Sequence, residues 1–173
     1  MGTHSHHHDY NFNERYEFAG KAKMFSIVAV VLGVAAVAFG LLSGDHVTVE
    51  RTYANLLLIG YYFTCVCAAG TFFVALQYVT QSAWSAGLVR IPQAMASVLP
   101  IASLVLLVIV GLGLTTHNLY HHWNADGITD PHSTNFDPII AGKSAYLNVP
   151  FFLIRQVVFL GTYSIFAVIF AKL

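Results

Sequence analysis

One arginine interrupts the last apolar stretch of the chain. Arg155 lies about six residues into the run 149–170, roughly 9 Å along a helix that rises about 1.5 Å per residue. Because a charge inside a membrane costs up to about 3 kcal/mol on insertion scales, its side chain should face the bundle interior, water or a partner. The alternative is that the side chain extends to the lipid headgroups. Phe151 and Phe159 lie one turn either side of it, and Thr162 follows, so a half-polar, half-aromatic stripe is expected.

Histidines cluster after the third apolar run. His117 and His121 are four residues apart, so they would share one face if the preceding helix continued, as in a two-histidine metal site. The chain has no HExxH motif, and no metal is predicted. With His122 beside them, these histidines could instead accept protons at the membrane surface, since histidine titrates near neutral pH. A plain contact surface that includes Trp123 is the remaining interpretation.

Hydroxyl groups recur in the second apolar run, which contains Tyr61, Tyr62, Thr64 and Thr71. Most such groups hydrogen-bond between helices or to their own backbone, and a role in proton movement is the alternative. The apolar runs contain no carboxylate, so a proton path would use tyrosine, threonine, histidine, water or another subunit. The chain also lacks a phosphate-binding glycine loop, a nucleophile elbow and CxxC or CxxCH motifs. No cofactor is therefore expected to bind this chain on its own.

Four apolar runs must position these residues: 24–42, 53–79, 94–114 and 149–170. A helix needs about 20 apolar residues to cross a hydrocarbon core, and each run is about that long or longer. Composition agrees, because 57% of the residues are hydrophobic and 9% are charged, against about 25% charged in soluble domains. The prediction is an all-α, polytopic membrane protein. It has a polar tail (1–23), a bundle of four transmembrane helices (24–173), and a long outer loop (115–148) between the third and fourth helices.

Charge indicates the orientation and excludes one class of partner. With histidines neutral the net charge is zero, which argues against nucleic acid as a partner. Five Lys and Arg residues fall on one predicted side and two on the other; they are Arg15, Lys21, Lys23, Arg90 and Lys172, against Arg51 and Lys143. By the positive-inside rule, both termini are expected in the cytoplasm. The tract His4–Asp9 could chelate a metal, or it is a purification tag or a disordered surface tract.

Three segments resemble a known family. They are SAWSAGLVRIPQAM at 82–95, His121-His122-Trp123, and a KSxYLNxPFFxIR string at 143–155 that follows DPIIAG. Together they resemble the NrfD-like (polysulfide reductase membrane subunit) proteins of bacterial alternative complex III. The chain is most similar to the smaller one, often labelled quinone-binding subunit 2. Members of this family carry two four-helix bundles, so the chain resembles their N-terminal bundle and is expected to be truncated or split at Leu173.

The resemblance implies a role in quinol oxidation in the bacterial inner membrane. Electrons from quinol would pass through iron–sulfur and haem c subunits to cytochrome c or a terminal oxidase, and those cofactors would belong to partner subunits. A sibling NrfD-like subunit and membrane lipid are the other expected partners, with quinone or quinol at the bundle. The positions that match the family are Arg90, His121, Lys143, Asn148 and Arg155.

The expected role is thus an integral subunit of a quinol-oxidising complex that contributes to proton translocation and to docking of redox subunits. Two alternatives stay open: a membrane scaffold without chemistry, and an independent small transporter or channel. The polar-bundle or proton-path candidates are Arg155, His117, His121, His122, Lys143, Tyr61 and Thr162. The partner-docking candidates are Trp123, Asp137, Tyr146 and Asn148.

Overall fold

The computed structural model describes residues 18–82 and 84–172, and their regular secondary structure is helical. The helices are α1 (Lys21–Leu42), α2 (His46–Thr80), α3 (Arg90–Thr115), α4 (Pro138–Ala141) and α5 (Val149–Lys172), with a 3-10 helix at Trp84–Gly87. Four of them, α1, α2, α3 and α5, are long and apolar enough to cross a membrane. This confirms the predicted class, an all-helical multi-pass membrane protein.

The chain divides into two compact units, Met1–Phe39 and Gly40–Leu173. In the first unit, α1 exposes large apolar side chains around its circumference, including Phe25, Val30 and Leu32. A helix that is apolar on all sides is suited to lipid, because water would have to hydrate that entire surface.

In the second unit, α3 packs against both α2 and α5. One core cluster joins Leu99 of α3, Cys67 of α2 and Ala167 of α5. A second cluster is built on Leu106, Val110 and Leu114 of α3, and residues of α2, α5 and the α3–α5 connection pack on it. We name the two ends of this unit by the segments they carry. The loop end carries the connection between α3 and α5, and the turn end lies near residues 81–89.

The helices α2 and α3 begin four or more residues before their apolar runs. α2 starts at His46 instead of residue 53, because the carboxylate of Asp45 accepts a hydrogen bond from the Thr48 backbone N–H at 3.1 Å and caps the helix. His46 and Glu50 then pair one turn apart at 3.5 Å. α3 starts at Arg90 instead of residue 94, with Pro92 in its first turn, where the missing N–H costs no helical hydrogen bond. Polar residues thus extend both helices beyond their apolar segments.

The connection from α3 to α5 is built from turns held by side chains. The Asp137 carboxylate accepts from the backbone N–H groups of Ile139 and Ile140 at 2.8 and 3.3 Å, which starts α4. Asn148 caps α5 in the same way, since its Oδ1 accepts from the Phe151 N–H at 2.8 Å. Asn124 Nδ2 donates to the Leu114 carbonyl at 3.0 Å and ties the connection to the end of α3.

Candidate functional site

A cavity of about 390 Å³ lies between α2, α3 and α5, toward the loop end. Its apolar wall is formed by Leu57, Ala68, Leu106, Val110, Phe152 and Leu160. Its polar groups are Tyr61, Thr64, Cys65, Tyr120, Gln156 and Tyr163. The volume is within the range of small-molecule sites, which hold about 300–1,000 Å³ and combine apolar walls with a few polar groups.

Helical periodicity brings these residues to the cavity. On α2 the lining positions 57, 61, 64 and 68 recur at intervals of four, three and four. On α5 the positions 152, 156, 160 and 163 recur at intervals of four, four and three. Such spacing keeps side chains on one face of a helix. Each helix therefore presents a single mixed polar and apolar stripe to the cavity.

Tyr120 reaches the cavity by a different route, because α3 has already ended at Thr115. His117 and Tyr120 adopt left-handed backbone conformations with φ of 55° and 61°, which reverse the chain after the helix. The Leu119 N–H donates to the Gly113 carbonyl at 2.9 Å, and the buried Leu119 side chain packs on Gly113. Partial burial raises the pKa of the Tyr120 phenol above 10.0. At neutral pH it is therefore a neutral hydrogen-bonding group.

The cavity is chemically neutral. Among the described residues that line it, there is no Asp, Glu, Lys, Arg or His. The Thr64 hydroxyl donates to the Gly60 carbonyl of its own helix at 2.8 Å, so its remaining capacity is as an acceptor. Phenol and amide groups among apolar walls are suited to an uncharged molecule that carries oxygen atoms on a ring or short head. They do not provide the charges that an ionic ligand would need.

Buried polar groups continue along α2 beyond the cavity. Thr71 is buried and donates to the Cys67 carbonyl at 3.2 Å. Farther on, the buried Gln77 accepts a short hydrogen bond from Ser82 beside a cavity of about 300 Å³ at the turn end. On α3, the buried Ser103 Oγ has no hydrogen-bond partner within the part of the chain that the structure describes. Hydroxyl and amide groups thus follow the interior face of α2 between the two cavities.

Arg155 lies outside the cavity lining, in an aromatic setting. Its guanidinium carbon is 4.1 Å from the centroid of the Tyr146 ring, 5.5 Å from that of Phe152 and 5.6 Å from that of Phe151. These distances are typical of cation–π contacts. Tyr146 precedes the first residue of α5, so the side chain extends toward the start of the helix. This orientation favours the predicted alternative in which Arg155 reaches up toward the headgroups.

The three predicted histidines, His117, His121 and His122, lie in the connection beyond the end of α3. His117 and His121 do not share a helical face, because α3 stops two residues before His117. His121 and His122 are exposed, with ring centroids 4.5 Å apart. Among residues 18–82 and 84–172, no group of three His, Cys, Asp or Glu residues could hold a metal ion. The tract His4–Asp9 lies outside the described residues.

The four predicted docking residues have structural roles in the connection. Trp123 is half-buried and its ring lies 5.5 Å from that of Phe152. Asp137 and Asn148 cap α4 and α5, and Tyr146 lies beneath the Arg155 guanidinium. Docking of a partner by these residues stays a prediction.

The remaining candidates separate into one cavity residue and two surface residues. Tyr61 lines the cavity. Lys143 is exposed in the turn before α5, and the Thr162 hydroxyl donates to the Val158 carbonyl at 2.7 Å on an exposed face. Sequence reasoning missed Gln156 and Tyr163. They are seven residues apart in an apolar run, so heptad spacing could have placed them on one face.

Comparison with models of known protein families gives no match, and neither does comparison with proteins of curated function. The resemblance to the NrfD-like subunits therefore stays a hypothesis that depends on the motifs at 82–95 and 121–155.

Proposed function

We propose that this chain is an integral subunit of a quinol-oxidising electron-transfer complex in a bacterial inner membrane, with both termini of this segment in the cytoplasm. Its cavity would receive the ring of a quinol or quinone. The observation that carries the proposal is the neutral cavity of about 390 Å³ between three helices that can span a membrane. The KSxYLNxPFFxIR string, which resembles the alternative complex III subunits, supports the same role.

A quinol suits the chemistry of this lining. The molecule is uncharged and apolar, and its ring carries two oxygen atoms that donate or accept hydrogen bonds. Phenol groups of Tyr61, Tyr120 and Tyr163 and the amide of Gln156 offer both functions. Phe152 and Leu160 supply apolar surface for the ring.

Oxidation of a quinol releases two electrons and two protons, so the complex needs redox centres and a path for protons. Iron–sulfur and haem c groups would reside in partner subunits, beside a sibling NrfD-like subunit, and electrons would continue to cytochrome c or a terminal oxidase. The polar groups along α2, from Thr64 through Thr71 to Gln77, favour proton movement through this chain. Water between them would complete such a path.

Neighbouring tyrosines provide the test. Tyr61 lines the cavity and Tyr62 does not, yet their exposed fractions are 61% and 62%. In the purified complex, Tyr61→Phe should raise the KM for quinol or lower turnover by about threefold to tenfold, because it removes one hydrogen bond worth about 0.5–1.5 kcal/mol. Tyr62→Phe should leave both parameters unchanged. The measurement is the quinol-dependent reduction of an electron acceptor.

Two outcomes would count against the quinol site. Unaltered kinetics for both Tyr61→Phe and Gln156→Leu, which removes the amide from the cavity lining, would show that the cavity takes no part in the reaction. Equal losses for Tyr61→Phe and Tyr62→Phe would indicate a general effect on α2.

A scaffold without chemistry is the second candidate. It is favoured by the large apolar surface of α5, where Val157, Val158 and Ile165 are exposed and available to neighbouring helices. Full turnover in all cavity variants, with assembly lost when α5 is altered, would support this alternative.

A further inference from the structure

Within the part of the chain that the structure describes, Arg155 forms no ion pair. α5 contains no acidic residue, and neither does the turn at 142–148 that precedes it. Lys143 in that turn adds a second cation. The salt bridge found within residues 18–82 and 84–172 joins His46 to Glu50 and leaves Arg155 out. A positive charge at a membrane surface without a protein partner is stabilised by water or by an anion from outside the chain.

Aromatic rings hold the Arg155 guanidinium. Its Nη1 atom is enclosed and has no hydrogen-bond partner in the described part of the chain, while the residue as a whole is half-buried. Tyr146 and Phe151, which contact it, are both exposed. A planar cation that is already fixed against ring faces loses little further conformational entropy when it binds a ligand. Its planar arrangement of N–H groups matches a planar or bidentate acceptor.

The depth of this group is set by its neighbours. The rings of Tyr120 and Trp123 lie 5.8 and 5.5 Å from the ring of Phe152, which is one turn closer to the start of α5 than Arg155. Tyrosine and tryptophan are enriched at the level of the lipid headgroups. Since the Arg155 side chain extends toward that level, we expect its guanidinium at the boundary between the acyl chains and the phosphates.

We propose that Arg155 and Tyr146 form a binding site for an anionic phospholipid in the leaflet at the loop end. The phosphate would accept hydrogen bonds from the guanidinium, and Lys143 would add attraction. The acyl chains would cover the exposed side chains of Phe151, Ile154 and Val158. A phosphodiester is present at this depth in every leaflet, and the surface around the cation is apolar, so a lipid fits both parts of the site.

The experiment uses the full chain, purified and stripped of lipid in detergent. Native mass spectrometry would measure retention of phosphatidylglycerol and phosphatidylcholine at equal mole fraction, with inorganic phosphate as a third ligand. The wild-type chain should retain phosphatidylglycerol preferentially. Arg155→Leu should weaken that retention by about tenfold or more, since a hydrogen bond to a charged group is lost. Retention of phosphatidylglycerol by Arg155→Lys should lie between that of the wild type and that of Arg155→Leu, because lysine keeps the charge and lacks the planar fork.

Arg90→Leu is the matched control, because Arg90 is an exposed arginine at the turn end. It should retain phosphatidylglycerol as the wild type does, and circular dichroism would establish that all variants keep their helix content. Equal retention by Arg155→Leu and the wild type would overturn the proposal. So would an equal response to inorganic phosphate, which would indicate a free-anion site.

This inference does not depend on the proposed function. Lipid retention is measured on the isolated chain without quinol, so failure of the lipid site and failure of the quinol site are separate results.

Discussion

Tyr61 and Tyr62 illustrate how one step along a helix changes the role of a residue. Successive residues on an α-helix differ by about 100° in direction, so Tyr61 joins the cavity wall with Thr64, whereas Tyr62 packs edge-on against Phe63 at 5.7 Å. The two side chains have the same chemistry and nearly the same exposure. Their difference in role therefore comes from direction alone, which makes the pair a sensitive test of the cavity.

Asp45 provides a residue-scale prediction about pH. Hydrogen bonds from the Thr48 hydroxyl at 2.6 Å and the Thr48 N–H at 3.1 Å lower the pKa of its carboxyl below 3.8. The ionised form stabilises the start of α2, so this contribution is present above the unfolded pKa and is lost as pH falls through the lower, folded pKa. Hydrogen exchange of residues 46–52 should accelerate, after correction for the intrinsic rate, as pH falls below about 4. Asp45→Asn keeps an acceptor that does not titrate, so this step should vanish; a step of the same size in that variant would contradict the prediction.

The packing of α2 on α3 depends on a close approach at the element scale. At Gly70 an added Cβ would lie 2.9 Å from the Met95 Cβ and 3.1 Å from the Pro92 carbonyl oxygen. Small residues allow helix backbones to approach in this way in membranes, where van der Waals contact and hydrogen bonds drive association. Small residues also recur four apart in α1 (Ala29 with Gly33, Ala36 with Gly40), whereas the contact between α2 and α3 uses Gly70.

Gly70→Ala should therefore separate the helices and lower the free energy of unfolding by about 1–3 kcal/mol. Gly111→Ala is the control, because nothing lies within 4 Å of a Cβ at Gly111 in α3. That change should be neutral or stabilise the helix by up to about 1 kcal/mol, since alanine is the better helix former. Unfolding in mixed micelles would measure both. A Gly70→Ala variant as stable as Gly111→Ala would show that the helices adjust without cost.

At the scale of the whole molecule, the connection between α3 and α5 is fastened to the helices of the second unit. Trp123 packs on the core cluster of Leu106, Val110 and Leu114, and Asn124 binds the last turn of α3. The same segment supplies Tyr120 to the cavity. The connection is thus part of the cavity wall.

Trp123→Ala should release this segment, because it removes most of a half-buried aromatic side chain from an apolar cluster, a loss of up to about 3 kcal/mol. Limited proteolysis within 116–148 should become faster. Trp84→Ala is the control, since Trp84 is 71% exposed in the 3-10 helix at the turn end. If both variants are cleaved at the wild-type rate, Trp123 does not hold the connection in place.

The number of long apolar helices, and their capacity to span a membrane, follow from the sequence alone. Runs of about 20 apolar residues have one low-energy form in lipid, because a helix satisfies every backbone hydrogen bond within itself. The helix starts at His46 and Arg90 were missed, since polar caps and turns extend helices past the apolar segment.

The cavity and the environment of Arg155 were decided by the tertiary structure. Tyr120 reaches the cavity because the chain reverses at His117, and Arg155 meets Tyr146 because Asn148 caps α5 between them. Contacts of this kind depend on where the backbone reverses and on which segments pack against a given face of a helix. The periodicity of a single segment specifies neither.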